Sequence, residues 1–200
     1  INQTQVNPVA GLTFETGLRA LLRQDPDIIM VGETRDGETA EISVRAAITG
    51  HVVLSTLHTN DAASSIVSLE DMGVENYLIA NSLVGMVAQR LMRKVCGNCS
   101  QEMDTTPQEQ KLLGSEIKKI RRGRGCAQCN NTGYRGRIAV HEIIAVDTRL
   151  RHMISGHAST EEIIRYAKEN QGMHTLRENG LKLVKKGIST PEELLKIAYE

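Results

Sequence analysis

The chain has 200 residues, 40% of them apolar, with 24 Lys and Arg set against 24 Asp and Glu. That length bounds it at one or two domains, and the apolar share is enough to bury a core. A net charge of zero and an aromatic content of 2% argue against a dedicated nucleic-acid binder, which needs a basic face and stacking platforms.

No apolar run reaches the roughly 18–20 residues of a membrane span, and no leader peptide is recognisable, so the cytoplasm is the expected compartment. The opening Ile1-Asn2-Gln3-Thr4-Gln5 reads as the middle of a longer sequence. Thr13 to Gln24 carries Phe14, Leu18, Leu21 and Leu22 on one predicted helix face. Asp25-Pro26 ends that helix, because a residue before proline is pushed out of the helical region. Asp27-Ile28-Ile29-Met30-Val31 is a continuous apolar run, the kind buried on both faces of a parallel sheet. Gly32 allows a turn, and Glu33 follows. Asp36 is placed to cap a helix running to about Thr49 and closed by Gly50. His51 to Thr56 reads as a second buried strand, followed by the polar loop Leu57 to Asp61. Asn60 or Asp61 caps a helix that stops near Gly73, and Glu75 to Arg93 is predicted as a longer helix. This order implies a three-layer α/β core with a parallel sheet flanked by helices. Two strands cannot make such a sheet, so its remaining strands are expected upstream, and a missing neighbour leaves an exposed edge. Gly136 to Val146 is a predicted strand. The tail is predicted helical, with capping boxes at Ser159–Glu162 and Thr190–Glu193, the second with Pro191 at the first helical position.

All four cysteines fall in two pairs, Cys96-Gly97-Asn98-Cys99 and Cys126-Ala127-Gln128-Cys129. Two-residue spacing lets both thiolates of a knuckle reach one ion, and four thiolates close a tetrahedral zinc site with no position left for chemistry. Two redox pairs and two disulfides are the competing readings. The first wants a thioredoxin-like setting that is not evident, and the second an oxidising compartment. Between the pairs, Lys118 to Arg124 is a basic run. It is read as a solvated loop, with contact to anionic lipid or an acidic partner as the alternative.

A buried strand ending in Gly32-Glu33 is similar to the second nucleotide motif of ATPases. A carboxylate there faces the edge of the sheet where ligands bind and can polarise an attacking water. His58 lies just past the next strand and could meet the same edge as a phosphate sensor. Arg19 and Arg23 are spaced to share a helix face, where such pairs commonly face water or, at a subunit boundary, reach a neighbour's phosphate.

The run Gly17 to Asp36 closely resembles the secretion ATPases of type II secretion and type IV pilus assembly. So do the stretch Thr49 to Asn60, similar to that family's histidine box, the tetracysteine insert, and the tail around Gly172-Met173 to Leu195. The resemblance covers essentially the whole chain. It implies a bacterial homo-hexameric motor with a RecA-like P-loop ATPase core that uses ATP and Mg. It implies that Glu33 is the catalytic glutamate, that His58, Thr56, Thr59 and His51 belong to the histidine box, and that Arg19 and Arg23 lie near nucleotide at a subunit interface. Implied partners are an inner-membrane platform protein and cytoplasmic or membrane adaptors, with no nucleic acid and with peripheral placement at the inner membrane. The implied domains are the C-terminal part of the ATPase core at 1–93, a zinc module at 94–135, and a mostly helical subdomain at 136–200. Retraction motors of the family lack the tetracysteine insert, which points this chain to the assembly or export branch. It departs from the family pattern in having no Gly-x-x-x-x-Gly-Lys-Ser/Thr phosphate loop, so the 200 residues alone are expected to be inactive. The alternative from another class is a zinc-dependent nucleic-acid or protein-binding module without motor activity, suggested by the cysteine pairs with Asn131-Thr132-Gly133-Tyr134-Arg135-Gly136.

Overall fold

Short polar side chains set where the helices begin in the computed structural model, which describes residues 1–198. Thr13 and Thr16 close a capping box at the start of α1 (Phe14–Leu21). Asp36 takes the Thr39 amide at the start of α2 (Gly37–Ile48). Each such bond occupies a backbone donor that the helix itself leaves unpaired. In chain order the elements are α1, β1 (Ile28–Met30), α2, β2 (Val52–Leu54), α3 (Ser64–Asp71), α4 (Asn76–Ser82), β3 (Gly85–Val95) and β4 (Ser100–Asp104). They continue with α5 (Pro107–Leu113), β5 (Lys119–Gly123), β6 (Tyr134–Ala145), α6 (Thr148–Ser155), α7 (Thr160–Gln171), α8 (Leu176–Lys185) and α9 (Pro191–Ala198). Among the described residues, no helix is long and apolar enough to cross a membrane.

The chain divides into two compact units. One is Ile1–Met86 with Ile144–Gln171, and the other is Val87–Ile143 with the chain from Gly172 onward. In the first unit β1 and β2 pair in parallel, with Ile28 opposite Val52, Ile29 opposite Val53 and Met30 opposite Leu54. Leu18, Ile29, Val31 and Ala46 form a buried cluster, joined by the half-buried Phe14, Leu22, Ile42 and Val53. α4 packs on α2 and α6, and the buried Asn76 amide reaches His157 Nδ1 at 2.7 Å.

The expectation that these strands are buried on both faces is corrected. Side chains alternate across a strand, so Ile29 and Val53 face the cluster while Ile28, Met30, Val52 and Leu54 point the other way. Those four are 64%, 76%, 52% and 52% exposed. Within this chain one face of the pair is covered and the other is open.

A second correction concerns Glu75 to Arg93. The helix there stops at Ser82, and β3 begins at Gly85. From Met86 onward the burial alternates, with Met86, Ala88 and Met92 buried and Val87, Gln89 and Leu91 exposed. That is the two-residue period of a strand.

In the second unit β3 pairs with β6, and β4 pairs antiparallel with β5 from Ser100 opposite Gly123 to Asp104 opposite Lys119. The basic run is therefore a strand and not a solvated loop. Arg122 on it is half-buried in ion pairs with Glu109 and Glu192. α8 packs on α9 and β5. The capping box at Ser159–Glu162 forms. The one predicted at Thr190–Glu193 does not take shape as expected: the Thr190 hydroxyl bonds Tyr134, and the Glu193 carboxylate bonds Arg93 and Lys196.

Candidate functional site

The turn after β1 and the loop after β2 are stapled side by side at the carboxyl ends of the two strands. The Val31 amide donates to Leu54 O at 2.8 Å, and the Thr34 amide donates to Thr56 O at 3.0 Å. Thr56 Oγ1 donates to Gly32 O at 2.8 Å, and the Thr34 and Ser55 hydroxyls lie 2.8 Å apart. These bonds fix the backbone on either side of Glu33. Its Oε2 makes an ion pair with Arg35 Nε at 2.7 Å and lies 3.3 Å from His58 Nε2. Desolvation, the largest influence, pushes the Glu33 carboxyl up, but Arg35 and His58 together outweigh it and hold it below its ordinary value. Glu33 is therefore ionised at neutral pH, at an edge open to solvent, with one oxygen gripped from two sides.

The structure thus brings Glu33 and His58 together and makes Thr56 a buttress beneath them. Thr59 is in the same loop, its hydroxyl donating to Asp61 O at 3.1 Å. His51 is elsewhere, before β2 and at the opposite end of that strand from His58, with Nδ1 3.0 Å from Ala46 O. Arg19 pairs with Glu15 on α1, and Arg23 is exposed in the 3-10 turn that follows. Neither is bonded to Glu33 or His58 among the described residues. Arg35 was not singled out from sequence, although in an extended segment residues two apart share a side, which is the relation it bears to Glu33.

The cysteines form a separate cluster in the second unit. The end of β3 delivers Cys96, whose amide donates to Gly133 O at 2.9 Å. Cys126 leads a 3-10 turn over Ala127–Cys129, and Asn130 and Asn131 at φ 49° and 59° bring the chain back. All four sulfurs lie within 4.8 Å of one another. The separations are 3.9 Å for Cys96 to Cys126, 3.8 Å for Cys99 to Cys129 and 3.7 Å for Cys126 to Cys129. Disulfides, at about 2.05 Å, do not fit these distances. A tetrahedral ion with metal–sulfur bonds of about 2.3 Å sets sulfurs about 3.8 Å apart, so the donor set fits a closed tetrathiolate centre.

The surroundings already favour thiolate at two positions. The Asn98 side-chain amide, 3.4 Å away, is the foremost cause of a Cys126 thiol lowered to about 6. Burial pushes Cys129 up, but the amides of Cys126 and Gly133, at 3.2 and 3.3 Å, bring it below the usual thiol value. Cys99, for which burial dominates, is pushed up to about 11. Ligation requires all four to be deprotonated, so metal uptake releases protons. The backbones of Gly123 and Gly133 meet beside the cluster, where a Cβ on Gly123 would overlap the Gly133 carbonyl.

A polar cluster missed in the sequence flanks this centre. Arg93 donates to Glu193 Oε1 from Nε at 3.0 Å and from a terminal nitrogen at 2.8 Å, and its guanidinium sits 4.0 Å from the Tyr134 ring centroid. Tyr134 Oη bonds the Thr190 hydroxyl at 2.8 Å. Glu193 is 4% exposed. Desolvation raises its carboxyl, yet the bonds from Arg93 and Lys196 bring it down to about 2.

A family model described as type II/IV secretion system protein matches residues 1–196. The type IV pilus assembly ATPase PilB of Thermus thermophilus is 53% identical over 200 residues, covering 98% of this chain and 22% of that protein. The type II secretion system ATPase E of Vibrio cholerae is 44% identical over 203 residues, covering all of this chain and 40% of that one. The chain thus spans well under half the length of these relatives. The crystal structure of the pilus retraction motor PilT with bound ADP superposes with a TM-score of 0.67 at 27% identity, over 94% of this chain and 44% of that one. The ATPase DotB of Yersinia pseudotuberculosis superposes with a TM-score of 0.68 over 99% of this chain and 43% of that one, a likeness of fold alone at 22% identity.

Proposed function

Because this chain belongs to the type II/IV secretion system protein family, we propose that it is the C-terminal part of a hexameric motor ATPase that powers type IV pilus assembly or type II secretion. Its first unit then supplies part of a RecA-like core. Glu33 accepts a proton from, and orients, the attacking water. His58, with Thr56 and Thr59 in the same loop, reads the terminal phosphate, while His51 supports the far end of β2 through Ala46 O, and Arg19 and Arg23 reach nucleotide at a subunit boundary. ATP and Mg supply the phosphoanhydride and the charge that organises it. The observation that carries the reading is an ionised carboxylate fixed beside an imidazole at the carboxyl edge of a parallel strand pair.

The four cysteines hold one zinc ion as a structural centre, the donor set and sulfur spacing both being suited to it. The centre has no open position and takes no part in hydrolysis. The motor works in the cytoplasm, peripheral to the inner membrane, against a platform protein and its adaptors.

The chain carries no phosphate loop to cradle the β- and γ-phosphates. The 200-residue protein is therefore expected to show no ATPase activity above background in a coupled assay. The full-length motor is expected to turn over Mg-ATP, and Glu33→Gln there to lower kcat by about 100-fold or more while nucleotide stays bound. Turnover by the isolated chain that Glu33→Gln abolishes would overturn this reading.

A further inference from the structure

Glu33 has two neighbours, and only one of them belongs to the second loop. His58 arrives from beyond β2. Arg35 comes from the same turn as Glu33, two residues on, and its Nε is the nearer of the two, at 2.7 Å against 3.3 Å. Both address the same oxygen, Oε2. No described residue bonds Oε1, so the carboxylate has one oxygen that is anchored and one that is available.

A general base needs that asymmetry. The oxygen that accepts the proton has to be free and aimed, and aim in a side chain with three rotatable bonds comes from restraint of the other oxygen. A histidine alone restrains weakly here, because His58 is 78% exposed and the contact is long. The planar guanidinium of Arg35 offers a donor at 2.7 Å to the same oxygen, a shorter and more directional hold than the imidazole gives. The backbone that carries both residues is itself fixed, by Thr56 Oγ1 on Gly32 O and by the Thr34 amide on Thr56 O. Restraint applied at Arg35 is therefore passed to Glu33 and not lost in a mobile turn.

We propose that Arg35 is a positioning residue for Glu33, gripping Oε2 so that Oε1 is presented to water. This rests on the reading of Glu33 as the general base. A merely structural role predicts little from losing Arg35, since its side chain is 66% exposed and exposed ion pairs contribute little to folding. Positioning predicts a large effect on turnover with none on folding.

The test uses Arg35→Gln and Arg35→Lys in the full-length motor, with Glu33→Gln alongside, and the same substitutions in the 200-residue chain. Arg35→Gln is expected to lower kcat about 10- to 100-fold at unchanged KM for Mg-ATP, and Arg35→Lys to recover part of the loss. In the shorter chain, carbon-detected NMR of the Glu33 carboxyl is expected to show its titration midpoint moving up in Arg35→Gln, with an unchanged melting curve. Wild-type kcat in Arg35→Gln overturns the proposal, and so does an effect confined to KM, which would make Arg35 a nucleotide-binding residue. An unmoved Glu33 midpoint overturns the grip itself without touching the motor reading. If Glu33→Gln retains full turnover, the motor reading of Glu33 falls instead, and Arg35 with it.

Discussion

The two units of this chain treat their polar groups in opposite ways. In the second, the chemistry is closed on itself. Four thiols converge on one point, and the Glu193 carboxylate, 4% exposed, is held by Arg93 and Lys196. In the first, Glu33 and His58 stand at an open edge with exposed partners, and the strands beneath them leave four apolar side chains uncovered. Saturated groups stabilise, while groups that act on something else have to be left with capacity. The contrast marks the named groups of the second unit as saturated within the chain and those of the first as left with capacity.

The hardest blow to that contrast is metal removal. A structural zinc centre contributes on the order of 10 kcal/mol of binding free energy to folding. Chelation, or Cys129→Ser, is expected to abolish amide protection across residues 94–133 in hydrogen exchange while α2 and β1 keep theirs. Full protection of 94–133 in metal-free protein would show that the cysteines do not staple the module. A smaller effect is expected from Glu193→Gln, which leaves Arg93 with its charge unmatched. Glu193 is buried but the Arg93 side chain is 44% exposed, so water screens the orphaned charge and the loss falls below the roughly 3 kcal/mol of a fully buried pair, read as a lower denaturant midpoint. The same carboxylate sets an acid limit. Its folded value of about 2 lies below the ordinary 4.5, so its stabilisation is complete above about pH 4.5 and disappears as pH falls towards 2. A pH series that separates wild type from Glu193→Gln at neutral pH and merges them near pH 2 checks the sign. The smallest effect belongs to the open sheet face. Met30→Ser is expected to change stability by no more than about 0.5 kcal/mol but to reduce concentration-dependent association in sedimentation velocity. A large loss of stability would mean that the face is covered in solution.

Much of this was legible from the residues, and the failures have physical causes. Asp36 and Gly50 bound α2 as their chemistry requires. The apolar runs before Glu33 and His58 are strands, because a β-branched run between turn residues has few other options. They are covered on one face only, which composition cannot reveal, since a buried run looks the same whether or not its cover lies in the same chain. Residues 75–93 misled because Met, Leu and Ala suit either period, and the deciding feature is the alternation after Gly85. β6 was recognisable by its Val and Ile, while its alternation was disguised by Glu142, a buried acidic side chain at an inward position. The cysteine pairs were the clearest signal in the chain, because thiol spacing is itself the geometry. Arg35 and Glu193 were overlooked for opposite reasons. The first carries no pattern of its own beside Glu33, and the second fitted a capping pattern that its carboxylate does not serve.

Gly123 and Gly133 sit back to back, one ending β5 and the other just before β6. Neither can gain a Cβ without driving it into the other's backbone, so compensation between them is impossible: changing one never makes room for a change in the other. Any change of length in the excursion between the cysteine pairs has to leave this backbone contact in place. Two residues with no side chain thereby fix where the module is free to drift and where it is not.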